Sequence, residues 1–109
     1  VVLGDVVEAL RAGRRNELRA VFGISPGAVV CLFAGKLEDK KRPLDLLSAV
    51  ARLPADLRSR VHVLVAGEGP LRGECERRAC AERLSATFAG FLNQSRLPDA
   101  YAAADVLAL

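Results

Sequence analysis

The chain has 109 residues, 51% hydrophobic and 5% aromatic, with 16 Lys and Arg against 13 Asp and Glu for a net charge of +3. That length allows one domain burying about two thirds of its unfolded surface, and it is small for a complete α/β enzyme. A modest basic excess with so few rings argues against nucleic-acid binding, which uses a basic stripe interleaved with stacking side chains.

No apolar run reaches the roughly 18 residues of a membrane span, and the N-terminus lacks the residue order of a signal peptide. A soluble intracellular chain is expected. Residues 1–13 read two ways, Val1, Val2 and Leu3 as a strand and Val6, Val7, Ala9 and Leu10 as a short helix, and stay unassigned. From Arg14 the pattern predicts a helix with Leu18, Val21 and Phe22 on its apolar face and charge elsewhere, ending at Gly23. Ser25, Pro26 and Gly27 then form a turn.

Residues 28–34 are continuously apolar without alternation, as in a strand buried on both faces, and the run ends at Gly35. Pro43 suits the first turn of a second helix, Leu46, Leu47, Val50 and Leu53 supply its stripe, and Pro54 stops it. A second buried strand over residues 60–66 runs into Gly67-Glu68-Gly69-Pro70. The helix after it carries Leu71, Cys75 and Ala79 on one face, with Glu74 and Arg78 spaced as an ion pair. Residues 86–89 form a third strand closed by Gly90, with residues 91–95 as its loop. Residues 97–104 form a fourth helix, in which Tyr101 and the surrounding alanines read as a packing face, and residues 105–109 begin a fourth strand.

Strands alternating with helices predict right-handed βαβ crossovers. The expected fold is a doubly wound, mostly parallel Rossmann-like α/β sheet with helices on both faces, truncated after the fourth strand. Ligands of such sheets bind outside the carboxyl ends of the strands. The candidate site is therefore made of three exits: Gly35-Lys36, Gly67-Glu68-Gly69 and Gly90-Phe91-Leu92. An uncovered last strand is expected to expose Val106, Leu107 and Leu109 and to pair edge to edge in a dimer.

Lys36, Lys40, Lys41 and Arg42 crowd the first strand-to-helix loop, where helix-opening amides also favour anions, phosphate first. Lys36 directly follows the glycine and Lys41 precedes the helix, so both are placed to reach one diphosphate. The alternative is a solvated loop whose cations interact with Glu38 and Asp39. Gly67-x-Gly69 is no dinucleotide fingerprint, because Arg72 stands where the third glycine belongs, and no P-loop pattern occurs. Glu68 either touches a ligand or complements the following helix dipole. His62, at the start of its strand, is at the wrong end of the sheet for a general base. No serine has the surroundings of a nucleophile elbow. Cys75 and Cys80, five apart, face different sides of a helix and Cys31 sits in a strand, so free, buried or half-buried thiols are expected, with no disulfide and no metal site.

Five stretches in one unbroken order carry a resemblance: Phe33-Ala34-Gly35-Lys36-Leu37, residues 41–47 beginning Lys41-Arg42-Pro43, residues 63–72 around Gly67-Glu68-Gly69-Pro70, residues 88–93 around Gly90-Phe91-Leu92, and Tyr101-Ala102-Ala103-Ala104-Asp105-Val106. Over residues 14–109 they resemble the C-terminal donor-binding domain of GT-B retaining glycosyltransferases, within the large family 4 group. The resemblance implies a partial nucleotide-sugar-binding domain. Its parent would be a hexosyltransferase type of enzyme that moves a sugar from a nucleoside-diphosphate sugar to an acceptor in glycan or glycoconjugate biosynthesis. A basic residue after the first-strand glycine and a lysine a few positions on hold the donor diphosphate in that family; Lys36 and Lys41 match them. Arginine is commoner at the first position, so Lys36 keeps the charge and loses the bidentate geometry.

The implied donor-binding set is Gly35, Lys36, Lys41, Gly67, Glu68, Gly69, Phe91 and Leu92, with the loop at Gly90, Phe91 and Leu92 facing the base. Fixed cations would stabilise the departing diphosphate, so neither metal nor cofactor is expected. The family's paired glutamates follow the Ala-Asp-Val strand, beyond Leu109, and its acceptor-binding N-terminal domain is missing. The expectation is a fragment inactive alone. Two alternatives stay open: a non-catalytic flavodoxin-like or receiver-like module, which at the first exit would need acidic residues instead of Gly35-Lys36, and a fragment of a GT-B nucleotide-sugar epimerase. The implied location is the cytoplasm, with peripheral association at the cytoplasmic face of a membrane left open.

Overall fold

The computed structural model describes residues 13–108, so the readings of residues 1–12 and of Leu109 lie outside the described residues. Helix α1 covers residues 13–21 and leads to β1 (Val29–Ala34). A 3-10 turn (Asp39–Lys41), α2 (Pro43–Ala51), α3 (Ala55–Arg58) and β2 (Val61–Ala66) follow. Then come α4 (Arg72–Ala81), β3 (Ser85–Gly90), α5 (Leu97–Ala103) and β4 (Val106–Ala108). All strand pairs are parallel and the order is β3-β2-β1-β4. The expected α/β sheet is observed.

The chain steps from β1 to β2 to β3 in one direction, and β4 then returns to the far side of β1. Right-handed crossovers therefore put α2 and α4 on one face and α5 on the other. Two cores result. One joins Leu18, Phe22 and Ile24 to Val30, Leu32, Leu64, Ala100 and Ala103. The other joins Phe33, Leu37, Leu47, Val50, Val63, Val65 and Cys75. Successive β1 and β2 residues enter opposite cores, which is why neither strand alternates in polarity. Because β1 and β2 pair in register from Val29 with Val61 to Ala34 with Ala66, their exits lie level.

Arg19 corrects the predicted face of α1. Its side chain is only 3% exposed, whereas Val21 is 65% exposed. The guanidinium donates to the carbonyls of Ala103 (3.0 Å), Pro26 (2.6 Å) and Ala28 (3.0 Å) and to Asp105 Oδ2 (2.7 Å). Those acceptors need a rigid fork of several donors, which only arginine supplies. Asp105 Oδ2 also accepts from the Val30 amide at 2.8 Å, so one ion pair ties α1, β1, α5 and β4 together.

Other expectations shift locally. Glu74 and Arg78 form no pair among the described residues; Arg78 turns to Ser48 Oγ on α2 (2.9 Å), and Arg72 takes Glu76 (2.6 Å) instead. Helix α3 has no counterpart in the sequence pattern, since four residues show no periodicity. Cys75 is buried and Cys31 half-buried, but Cys80 is exposed. On edge strand β4, Val106 and Leu107 are exposed.

Two helices end in the same left-handed cap. At Gly23 (φ +71°) the Ile24 amide reaches Arg19 O at 2.8 Å, and at Arg83 (φ +56°) the Leu84 amide reaches Ala79 O at 2.9 Å. Only the second cap uses a residue with a Cβ. Replacing Arg83 by glycine is expected to raise stability by about 1 kcal/mol in urea denaturation, and Gly23→Ala to lower it by about as much.

Burial alone would raise the Asp105 pKa, but the Val30 amide and the Arg19 guanidinium outweigh it and hold the carboxyl below its usual value. The contribution of such a group is complete above the unfolded-state pKa and is lost as pH falls through the lower folded one. Asp105→Asn should cost about 3 kcal/mol at neutral pH, because it leaves Arg19 buried without a counter-charge. The difference between the two proteins should shrink as pH falls below about 4, as denaturation at stepped pH would show.

Candidate functional site

Beyond the strand ends, β1 and β2 stay paired through their loops. The Gly35 amide donates to Ala66 O (3.1 Å), the Leu37 amide to Glu68 O (3.0 Å), and the Leu71 amide to Leu37 O (3.0 Å). Leu37 is fully buried beneath this crossing. No room for side chains remains between the loops. A Cβ on Gly67 would overlap the Gly35 carbonyl, and one on Gly69 would overlap the Leu37 backbone.

A cavity of about 490 Å³ opens above this crossing, bounded by the three strand exits and α5. Ala34, Ala66, Leu92 and Leu97 give it apolar walls, and the backbones of Gly35 and Gly67 form its base. Phe91, 76% exposed, and Tyr101, 46% exposed, supply its rings, while Lys36 and Glu68 supply its charges. The walls suit a planar or partly apolar group; the glycine and Lys36 end suits an anion. A second, basic depression of about 640 Å³ lies on the α2 side of the β1 exit, lined by Lys40, Lys41, Arg42, Phe33, Leu46 and Ala108 together with Asp45.

Six expected site residues thus meet in one cavity: Gly35, Lys36, Gly67, Glu68, Phe91 and Leu92. Lys41 lines the neighbouring depression, and Gly69 lines neither, its place being set by its close approach to the Leu37 backbone. Lys36 Nζ and Lys40 Nζ each lie 3.7 Å from a Glu38 oxygen, and Arg42 Nε donates to Asp45 (2.6 Å). Lys41 has no ion pair among the described residues. The Lys36 pair is weak, because the lysine side chain is 64% exposed, so an anion carrying more than one charge displaces Glu38 at little cost.

Tyr101 and Leu97 are the site residues that sequence reasoning missed. Tyr101 is no packing residue: Ala100 and Ala103 face the core, and Leu97 and Tyr101, one turn apart, face the cavity. The four-residue spacing was the available signal. His62 lies at the opposite end of β2, as expected. Thr87 Oγ1 donates to Phe22 O (2.9 Å) and accepts from His62 Nε2 (2.8 Å), and burial lowers the histidine pKa. Its role is structural.

The cavity thus lies at the carboxyl edge of a doubly wound parallel sheet, where folds of this architecture bind their ligands. The family model described as "Glycosyl transferases group 1" matches residues 14–109, and the chain belongs to that family. Over 70 residues it is 44% identical to a D-inositol 3-phosphate glycosyltransferase of Saccharomonospora viridis, covering 62% of this chain and 16% of that one. Over 117 residues it is 35% identical to the enzyme of the same name from Rhodococcus opacus, covering 100% of this chain and 26% of the relative. The chain thus spans about a quarter or less of these relatives. HepE of Anabaena, solved in complex with UDP and glucose, superposes with a TM-score of 0.72 at 20% identity, over 87% of this chain and 26% of that one.

The glycine crossing is directly testable. Gly67→Ala is expected to destabilise the fold by at least about 2 kcal/mol in urea denaturation, because the backbones must separate, and Gly73→Ala on exposed α4 should be neutral or slightly stabilising.

Proposed function

We propose that this chain is the donor-binding part of a retaining glycosyltransferase, and that its parent moves a sugar from a nucleoside-diphosphate sugar to an acceptor. The observation that carries the reading is the meeting of Gly35-Lys36, Gly67-Glu68 and Phe91-Leu92 in one cavity at the carboxyl edge. Family membership supports it over a flavodoxin-like or receiver-like module. In this reading the base stands against Phe91, Leu92 and Tyr101, and the diphosphate lies over the Gly35 and Gly67 backbones. Lys36 reaches it from the cavity and Lys41 from the adjoining depression. Cleavage of the bond from the sugar to the diphosphate leaves growing negative charge on the departing oxygen. Fixed cations stabilise that charge more than they stabilise the intact donor, which is the condition for catalysis.

Free thiols at Cys31, Cys75 and Cys80 suit a reducing compartment, so the proposed location is the cytoplasm. No helix among the described residues is long and apolar enough to cross a membrane; any membrane contact is proposed as peripheral. Edge strand β4, with Val106 and Leu107 exposed, is the surface on which a dimer would pair.

Calorimetric titration with UDP and with GDP tests the reading. One of them should bind, and Lys36→Ala should weaken it about tenfold through loss of a charge-assisted contact. With a UDP-sugar or GDP-sugar the 109-residue chain alone is expected to show no transfer. No binding of either nucleotide would overturn the donor reading, whereas measurable turnover would overturn only the expectation that the chain is inactive alone.

A further inference from the structure

The cavity proposed to take a diphosphate is lined by a carboxylate, Glu68, which an anion should avoid. Three elements fix where that carboxylate stands. The turn leaving β2 carries it. Gly90, buried at φ +73°, leaves it room, because a Cβ there would lie 2.9 Å from Glu68 Oε1. Arg72, opening α4, donates from Nη1 to the same oxygen and from Nε to Glu76 Oε1 (2.6 Å), so the guanidinium is held at two points.

We propose that Arg72 is a positioning residue of the anion site: it holds the Glu68 carboxylate over Gly90 and cancels its charge, so that a diphosphate is admitted beside Lys36. The proposal rests on the donor reading above. Without Arg72, Glu68 would repel the diphosphate and compete for Lys36, which already pairs with Glu38. Arg72 and Glu68 are both part-exposed, so their pairing adds little to folding stability. The function left for the pair is electrostatic.

The test is UDP binding at low ionic strength by wild type, Arg72→Gln, Glu68→Gln and the double variant. Arg72→Gln should bind about three- to tenfold more weakly, and the loss should fade as salt is added. Glu68→Gln should bind more tightly than wild type, because it leaves the Arg72 guanidinium unpaired beside the site, and the double variant should recover most of what Arg72→Gln loses, since the unmasked charge is gone. Arg72→Lys, which keeps the charge, should fall between wild type and Arg72→Gln. Binding unchanged in Arg72→Gln, or as weak in the double variant as in Arg72→Gln, overturns the proposal. Should Arg72→Gln fail to fold, Glu68→Gln decides: weaker binding there would assign the carboxylate to the ligand and overturn it too. A wild-type chain that ignores UDP and GDP overturns the donor reading and this proposal with it, whereas normal wild-type binding with an indifferent Arg72→Gln overturns this proposal alone.

Discussion

Everything at the carboxyl edge depends on two backbones passing within contact distance. The Gly35 carbonyl occupies the space where any other residue at position 67 would carry its Cβ, and the Leu37 backbone does the same at position 69. Because the loops stay hydrogen bonded past the strand ends, Lys36 and Glu68 leave from a rigid base with little conformational freedom of their own backbone. Leu37 locks the arrangement from below by full burial. A loop otherwise free to wander becomes a fixed wall of the cavity.

The rest of the sheet serves that wall through its winding. Reversal of the chain direction beside β1 places α5 opposite α2, and the β1 exit then has a ring-walled cavity on one side and a basic depression on the other. The Arg19–Asp105 pair holds the reversal together, linking the helix before β1 to the corner where β4 begins. Charge follows the same layout. Lys36 is shared with Glu38 and Glu68 is shared with Arg72, so each cavity charge has a partner that a ligand must displace or leave in place.

Much of this was legible in the sequence because the signals were local. Doubly buried strands betray themselves by unbroken apolar runs, and the strand exits by glycines, since those properties belong to a residue and its immediate neighbours. What stayed hidden depends on distant partners. Arg19 looks like any surface arginine until the carbonyls of Pro26, Ala28 and Ala103 converge on it. Val21 is apolar, yet it sits on the solvent side once Arg19 takes the inner position. Arg72 has carboxylates on both sides, and only the placement of Gly90 shows why it holds Glu68 as well as Glu76. Tyr101 reads in sequence as one of an alanine-rich packing face, but α5 turns only Ala100 and Ala103 inward and leaves the ring outward. Lys41, five residues after Lys36 in any linear view, falls on the other side of β1 because the 3-10 turn carries it there.

The most direct test of the central claim is a map of backbone amide NMR shifts as UDP or GDP is added to the chain. The account predicts that the largest changes cluster at Gly35, Lys36, Gly67, Glu68, Phe91 and Leu92, with Tyr101 following and His62 unmoved. Changes centred on the opposite end of the sheet, around His62 and Ser85, or none at saturating nucleotide, would contradict it.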